Sequence, residues 1–235
     1  MSFFCTFAKT FKIPFMNRFI IVVFLLTSFG IQAQVISSRY YEFGVFTGTL
    51  NGSNQITRPF DFSPTIEEIR PEFGMYLKRH LSHYIFFGAE ASYGRLFADD
   101  LNRGVERGLA MNTPIVCANA MIGVNFRRFG KYFKRNSGTP YLSIGFGTFN
   151  FSPTIDETRI YPADFELYPA SYFAFNLKTV FGYKFRLSMH SFLSLEAHVN
   201  YSNRNNTTGW TIPGLQANDG FWGLRLSYSY GFFDN

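Results

Sequence analysis

The stretch Phe221–Phe233 reads FWGLRLSYSYGFF. Taken at every second residue, Trp222, Leu224, Leu226, Tyr228, Tyr230 and Phe232 form one face. Gly223, Arg225, Ser227, Ser229 and Gly231 form the other. Unbroken period-2 alternation predicts an extended strand with one apolar face and one small or polar face. The apolar face carries aromatic residues toward its ends and leucines in its middle. That is the profile of a strand crossing a bilayer, with aromatic rings at the interfaces, aliphatic chains in the hydrocarbon and polar residues toward a lumen.

Seven earlier segments share the pattern: Tyr40–Leu50, Ile69–Arg79, Tyr84–Gly94, Ile115–Phe126, Tyr141–Phe151, Tyr172–Phe185 and Phe192–Tyr201. Each has about ten residues or more, enough to cross a bilayer when tilted. Long connections rich in Asn, Pro, Gly and Asp (Asn51–Glu68, Arg95–Pro114, Ser152–Ser171, Ser202–Gly220) alternate with shorter ones (His80–His83, Arg127–Pro140, Arg186–Ser191). Outer-membrane barrels place short turns in the periplasm and long loops outside. The predicted fold is therefore all-β: an eight-stranded antiparallel up-and-down transmembrane β-barrel over residues 34–235, with both termini periplasmic.

Eight strands enclose a space that side chains just fill, so a filled lumen and no pore are expected. Inward acids Glu42, Glu72, Glu90 and Glu196 should meet inward cations Lys78, Lys178, Lys184 and Arg225, because an unpaired buried charge is costly. Inward glycines such as Gly44, Gly74, Gly123 and Gly223 leave room for larger neighbours.

Composition agrees with this reading. The mean hydropathy of -0.03 is far too polar for a helical membrane protein. Yet 20% of the 235 residues are aromatic, with 31 Phe and 14 Tyr, while only 16% are charged. Strands apolar on one side only produce that combination. Asn17–Arg18 followed by the apolar run Phe19–Ile31 and Ala33 predicts a secretory signal peptide cut between Ala33 and Gln34, with Met16 the better start. The apolar run is too short for a spanning helix. Export to the outer membrane, with membrane lipid as a partner, is the expected location. The formal charge is +6, and Lys9, Lys12 and Arg18 precede the cut with no acid, which leaves +3. The basic balance gives no argument for nucleic acid. Beyond the cut only Cys117 remains, so no intramolecular disulfide forms.

Nothing in the chain reads as a catalytic, cofactor, small-molecule or metal site. Ser194, Glu196 and His198 share one inward face, but alternate residues of one strand point in parallel and a triad needs convergent groups. Asp99, Asp100 and Asn102 lack the spacing of a calcium loop. Gly145-Phe146-Gly147 lacks a third glycine and a following helix. His80, His83 and His190 fall in short turns without a metal-ligand pattern.

The most informative turn is Arg127–Pro140, RRFGKYFKRNSGTP. It holds Arg127, Arg128, Lys131, Lys134 and Arg135, interleaves Phe129, Tyr132 and Phe133, and has no acid. On the periplasmic side it can rest on anionic headgroups or dock a partner, basic residues steering and aromatics anchoring.

Arg70–Asn102 (RPEFGMYLKRHLSHYIFFGAEASYGRLFADDLN), Thr139–Pro153 (TPYLSIGFGTFNFSP) and the YEFGVFTG strand at 41–48 together resemble the PorG-type outer-membrane barrel of the type IX secretion system. The Gly94-Arg95-Leu96 exit leading to Ala98, Asp99 and Asp100 matches that family's pattern. So does the strand from Pro140-Tyr141 through Gly145, Gly147, Phe149 and Phe151 to Pro153. FELYP at 165–169 resembles the approach to strand six. The likeness covers most of 40–169. After strand seven the family tends to be acidic, whereas Tyr201–Trp210 has no acid. The resemblance implies a non-enzymatic barrel that contacts a periplasmic ring of a lipoprotein and its partner and serves secretion. The competing expectation is an adhesin-like barrel binding ligands through its long outer loops.

Overall fold

The computed structural model describes residues 39–53, 66–99, 102, 110–130, 137–154, 166–167, 171–204, 210–211 and 219–233. The predicted signal peptide lies outside them. Ten strands are present among the described residues: β1 (Tyr40–Ser53), β2 (Arg70–His80), β3 (Ile85–Asp99), β4 (Ala110–Asn125), β5 (Gly138–Phe151), β6 (Glu166–Leu167), β7 (Tyr172–Arg186), β8 (Ser191–Ser202), β9 (Trp210–Thr211) and β10 (Gly220–Phe233). Eight of them close in the order β1-β10-β8-β7-β5-β4-β3-β2, every pair antiparallel. The two-residue strands β6 and β9 pair with each other and join two of the long connections.

Alternation sets which side chains face out. Phe43, Val45, Phe73, Met75, Leu77, Ile122, Ile144, Phe175, Phe181, Leu195, Leu224 and Leu226 are all exposed on the wall. Water would not tolerate so continuous an apolar belt, and a bilayer requires it. Closure leaves no unpaired edge in the hydrocarbon.

Four inward aromatic rings lie over glycines directly opposite on the neighbouring strand: Tyr76 over Gly44, Phe46 over Gly74, Phe86 over Gly123 and Tyr141 over Gly182. A Cβ at any of these glycines would overlap the ring. Ring and glycine therefore fix each other's register, the pairing known as aromatic rescue.

Two of the expected segment boundaries differ by five residues, the others by three or fewer. The third and fourth segments, read as ending at Gly94 and starting at Ile115, continue to Asp99 and Ala110, with Arg95↔Pro114 through Asp99↔Ala110 paired. The pattern inverts there. Arg95 and Asn112 point out and are exposed, while Leu96, Ala98 and Met111 point in and are buried. Alternation scored as apolar-out fails where the strands rise past the belt and cover the lumen. His80, assigned to a turn, is the last residue of β2 and is fully buried. It keeps the inward parity of Lys78.

Candidate functional site

The lumen is filled in layers. At the end closed by short connections, Tyr40, Phe129 and Phe192 form a buried aromatic floor with Phe233 against it. The His80 ring stacks on Tyr40, with centroids 4.0 Å apart. Above the floor, Glu42 lies 2.6 Å from Lys184 Nζ and 2.8 Å from His80 Nε2. It also accepts from Ser229 Oγ at 2.9 Å and Tyr76 OH at 3.2 Å. Glu196 sits 3.7 Å from Lys78 and accepts from the Tyr141 hydroxyl.

A second cluster lies nearer the loop end. Arg225 donates to Glu72 from Nη2 at 2.6 Å and Nε at 2.8 Å, and to Glu90 from Nη1 at 3.2 Å. Its guanidinium rests 4.2 Å from the Phe46 ring centroid. Lys178 completes the pair with Glu90, and His198 Nε2 lies 3.1 Å from Glu72. Asn176 donates to Asn200 at 2.9 Å, one step further toward the loops. Leu50, Leu96, Met111, Ile115, Cys117, Phe149, Phe151 and Phe221 form a buried apolar roof.

The structure thus buries in the lumen all eight charged residues read as inward from the sequence, the network Glu42, Glu72, Glu90, Lys178, Glu196 and Arg225 together with Lys78 and Lys184. Four glutamates share the span with Lys78, Lys178, Lys184 and Arg225, so its carboxylates and cations match in number. The bidentate Arg225–Glu72 geometry is the strong form of such a pair. Sequence reasoning missed His80 and the Tyr76 and Tyr141 hydroxyls as carboxylate partners. Their parity was the available signal, since all three share the inward face of known lumen residues.

Ser194, Glu196 and His198 do not converge. Glu196 goes to Lys78 and Tyr141, and His198 goes to Glu72 and Asn200, with Asn200 Nδ2 3.0 Å from His198 Nδ1. No relay of a proton from Ser194 through His198 is built.

The closed eight-stranded barrel has counterparts among solved structures. Neisserial surface protein A superposes with a TM-score of 0.52 at 10% identity, covering 83% of this chain and 98% of that one. The chain has the fold of the eight-stranded outer-membrane β-barrels. OprG from Pseudomonas aeruginosa (TM-score 0.45, 10% identity, 84% and 97% covered) is also similar. So is Ail of Yersinia pestis, solved in complex with the heparin analogue sucrose octasulfate (0.42, 10%, 83% and 97%). No protein-family model and no curated protein matches the sequence.

At the turn end of this outer-membrane-type barrel, Arg127 and Arg128 are exposed. The Arg127 N–H donates to Thr139 Oγ1 at 3.1 Å, and Arg128 Nε donates to the Tyr84 hydroxyl at 3.0 Å. Phe129 departs from its expected role as a partner anchor. Its ring turns inward, is fully buried and packs on Phe192 with centroids 5.3 Å apart. The Arg186 guanidinium lies 5.0 Å from that ring and donates to the Gly130 carbonyl. Gly130 has φ 147, a backbone region that favours glycine, and this lets the chain reverse under the floor. Lys131, Tyr132, Phe133, Lys134 and Arg135 lie outside the described residues. His83, in the neighbouring turn, is held below the ordinary imidazole range, first by burial and then by the Arg128 charge, against a backbone hydrogen bond at Phe129.

The other two turns are alike. Leu81-Ser82-His83-Tyr84 and Leu187-Ser188-Met189-His190 each use the serine hydroxyl to accept two N–H groups, from Tyr84 and Ile85 at 3.2 and 3.0 Å and from His190 and Ser191 at 3.3 and 3.0 Å. In both turns a side-chain hydroxyl thus satisfies backbone N–H groups that the ladder leaves over.

Proposed function

We propose that this chain is a non-enzymatic, non-conducting barrel of the outer membrane, exported through its signal peptide, that anchors a periplasmic assembly through its turn end. The resemblance to the PorG-type barrel makes that assembly a type IX-like secretion apparatus and the partner its periplasmic ring. One observation carries the reading: side chains occupy the lumen from the Tyr40–Phe129–Phe192 floor to the Leu50–Phe149–Phe221 roof. A barrel with nothing passing through it acts by its ends. Of the two ends, the turn end carries the acid-free basic segment Arg127–Pro140.

The test is affinity purification of the tagged chain from detergent-solubilised outer membranes, wild type against Lys131→Glu/Lys134→Glu/Arg135→Glu. The wild type should recover a periplasmic lipoprotein and its ring partner. Like charges across an interface cost several kcal/mol, so reversal should cut recovery to about a tenth or less while the barrel stays folded. Equal recovery by both forms would remove the turn from the account.

A second reading rests on β6 and β9. Their pairing, Glu166↔Thr211 and Leu167↔Trp210, joins two of the long connections at the loop end. That supports a surface-exposed, adhesin-like barrel binding extracellular ligands. Loss of a phenotype on deleting these connections, with the turn variants silent, would favour it.

A further inference from the structure

The outer wall at the turn end is electrically lopsided. On the arc from β1 to β4 it carries exposed Arg39, Arg79, Arg127 and Arg128. On the arc from β7 to β10 it carries Phe185, Leu187, Met189, Tyr230 and Phe232, with no exposed lysine or arginine among the described residues. A girdle that merely marked the edge of the bilayer would have no reason to differ between two sides.

Arg79 is placed with care. It faces outward on β2, directly between Tyr41 of β1 and Phe87 of β3 in the register. Its guanidinium lies 5.3 Å from the Tyr41 ring centroid. No carboxylate among the described residues pairs with it. Arg39 immediately precedes β1 and is exposed on the same side. Arg128 is held back against the wall by its 3.0 Å hydrogen bond to Tyr84. Leu77, two residues further into the belt on β2, and Phe43, Ile85 and Phe87 on the neighbouring strands are all exposed on the wall around Arg79.

The geometry points to a binding site for an anionic phospholipid on this arc, with the headgroup phosphate on Arg39, Arg79 and Arg128 and the acyl chains along Phe43, Leu77, Ile85 and Phe87. A phospholipid fits both halves of the patch, since it joins a phosphate to two apolar chains. A protein approaching from the periplasm would meet the end face and not this wall. The Tyr41 ring beside Arg79 holds its guanidinium at headgroup depth without neutralising it. The leaflet concerned is the one that meets the short turns. The site is independent of the docking role of Lys131–Arg135.

The full chain is reconstituted in vesicles of equal parts phosphatidylglycerol and phosphatidylcholine, extracted gently and weighed with its retained lipid by native mass spectrometry. Wild type should retain phosphatidylglycerol in preference to phosphatidylcholine. Each arginine removed should lower that preference about fivefold, so Arg79→Gln reduces it and Arg39→Gln/Arg79→Gln/Arg128→Gln abolishes it. Arg95→Gln/Arg204→Gln, at the loop end, should leave it unchanged. Heat-modifiable migration on gels confirms that each variant is folded. A folded triple variant with wild-type preference would overturn the site, and so would a wild type with no preference. Loss of a protein partner in the triple variant, with its lipid preference intact, would make the arc a protein surface and would also overturn the proposal.

Discussion

Arg225→Met is expected to destabilise the barrel by about 3–5 kcal/mol, the cost of leaving a buried ion pair broken. Arg225 is 1% exposed and is the common partner of Glu72 and Glu90. Its removal leaves Glu72 with His198 and Glu90 with Lys178, two carboxylates in a span that previously matched charge for charge. Methionine restores much of the volume, so the loss reports charge and not a cavity. Adding Glu72→Gln should recover about half of it, because an apolar or neutral replacement of a whole pair is far cheaper than half a pair. Urea unfolding in detergent micelles, read as a double-mutant cycle, checks both numbers. A loss below about 1 kcal/mol for Arg225→Met would mean that the cluster contributes little to holding the barrel together.

Gly223→Ala is expected to open the seam between the first and last barrel strands. The register there runs from Gly48↔Arg225 to Asn51↔Trp222 with the two intervening pairs unmade. The Thr49 hydroxyl stands in for the missing ladder, accepting from the Leu224 N–H at 3.1 Å and reaching the Leu224 carbonyl at 3.4 Å. The backbones approach so closely that a Cβ on Gly223 would overlap the Thr49 carbonyl and come within 2.8 Å of His198 Nε2. Backbone cannot give way as a side chain can, so the cost should reach about 3 kcal/mol, the upper end for overpacking. Gly94→Ala is the control. Its nearest neighbour is the mobile end of Leu50 at 3.0 Å, and the change should cost less than about 1 kcal/mol. Urea midpoints and heat-modifiable gel mobility distinguish the two. Equal effects would show that the seam tolerates separation.

Much of the wall was legible because a bilayer enforces one rule on every strand. Trp222, Leu224 and Leu226 could face only lipid, and Arg225 between them could face only the lumen. Length, parity and turn spacing then placed Glu42, Glu72, Glu90 and Glu196 inside together. What the sequence hid lies where that rule changes. At Leu96, Ala98 and Met111 the strands leave the membrane, so apolar residues turn inward and the expected sign reverses. At Phe129 alternation has ended, and nothing local says whether an aromatic ring will serve a partner or the floor. His80 was hidden by its position at a strand end, where parity is the only guide. Which glutamate meets which cation depends on how far the strands shift around the closed barrel, a long-range quantity that no single segment contains.

The most direct test of a filled barrel that works by its ends is its electrical silence. The purified, folded chain is inserted in planar lipid bilayers and current is recorded across a range of voltages. Side chains packed from floor to roof predict no discrete conductance steps, in the wild type and in the turn variants alike. Reproducible single-channel steps from folded wild-type protein would show a passage through the Glu42 and Arg225 clusters and would contradict the account.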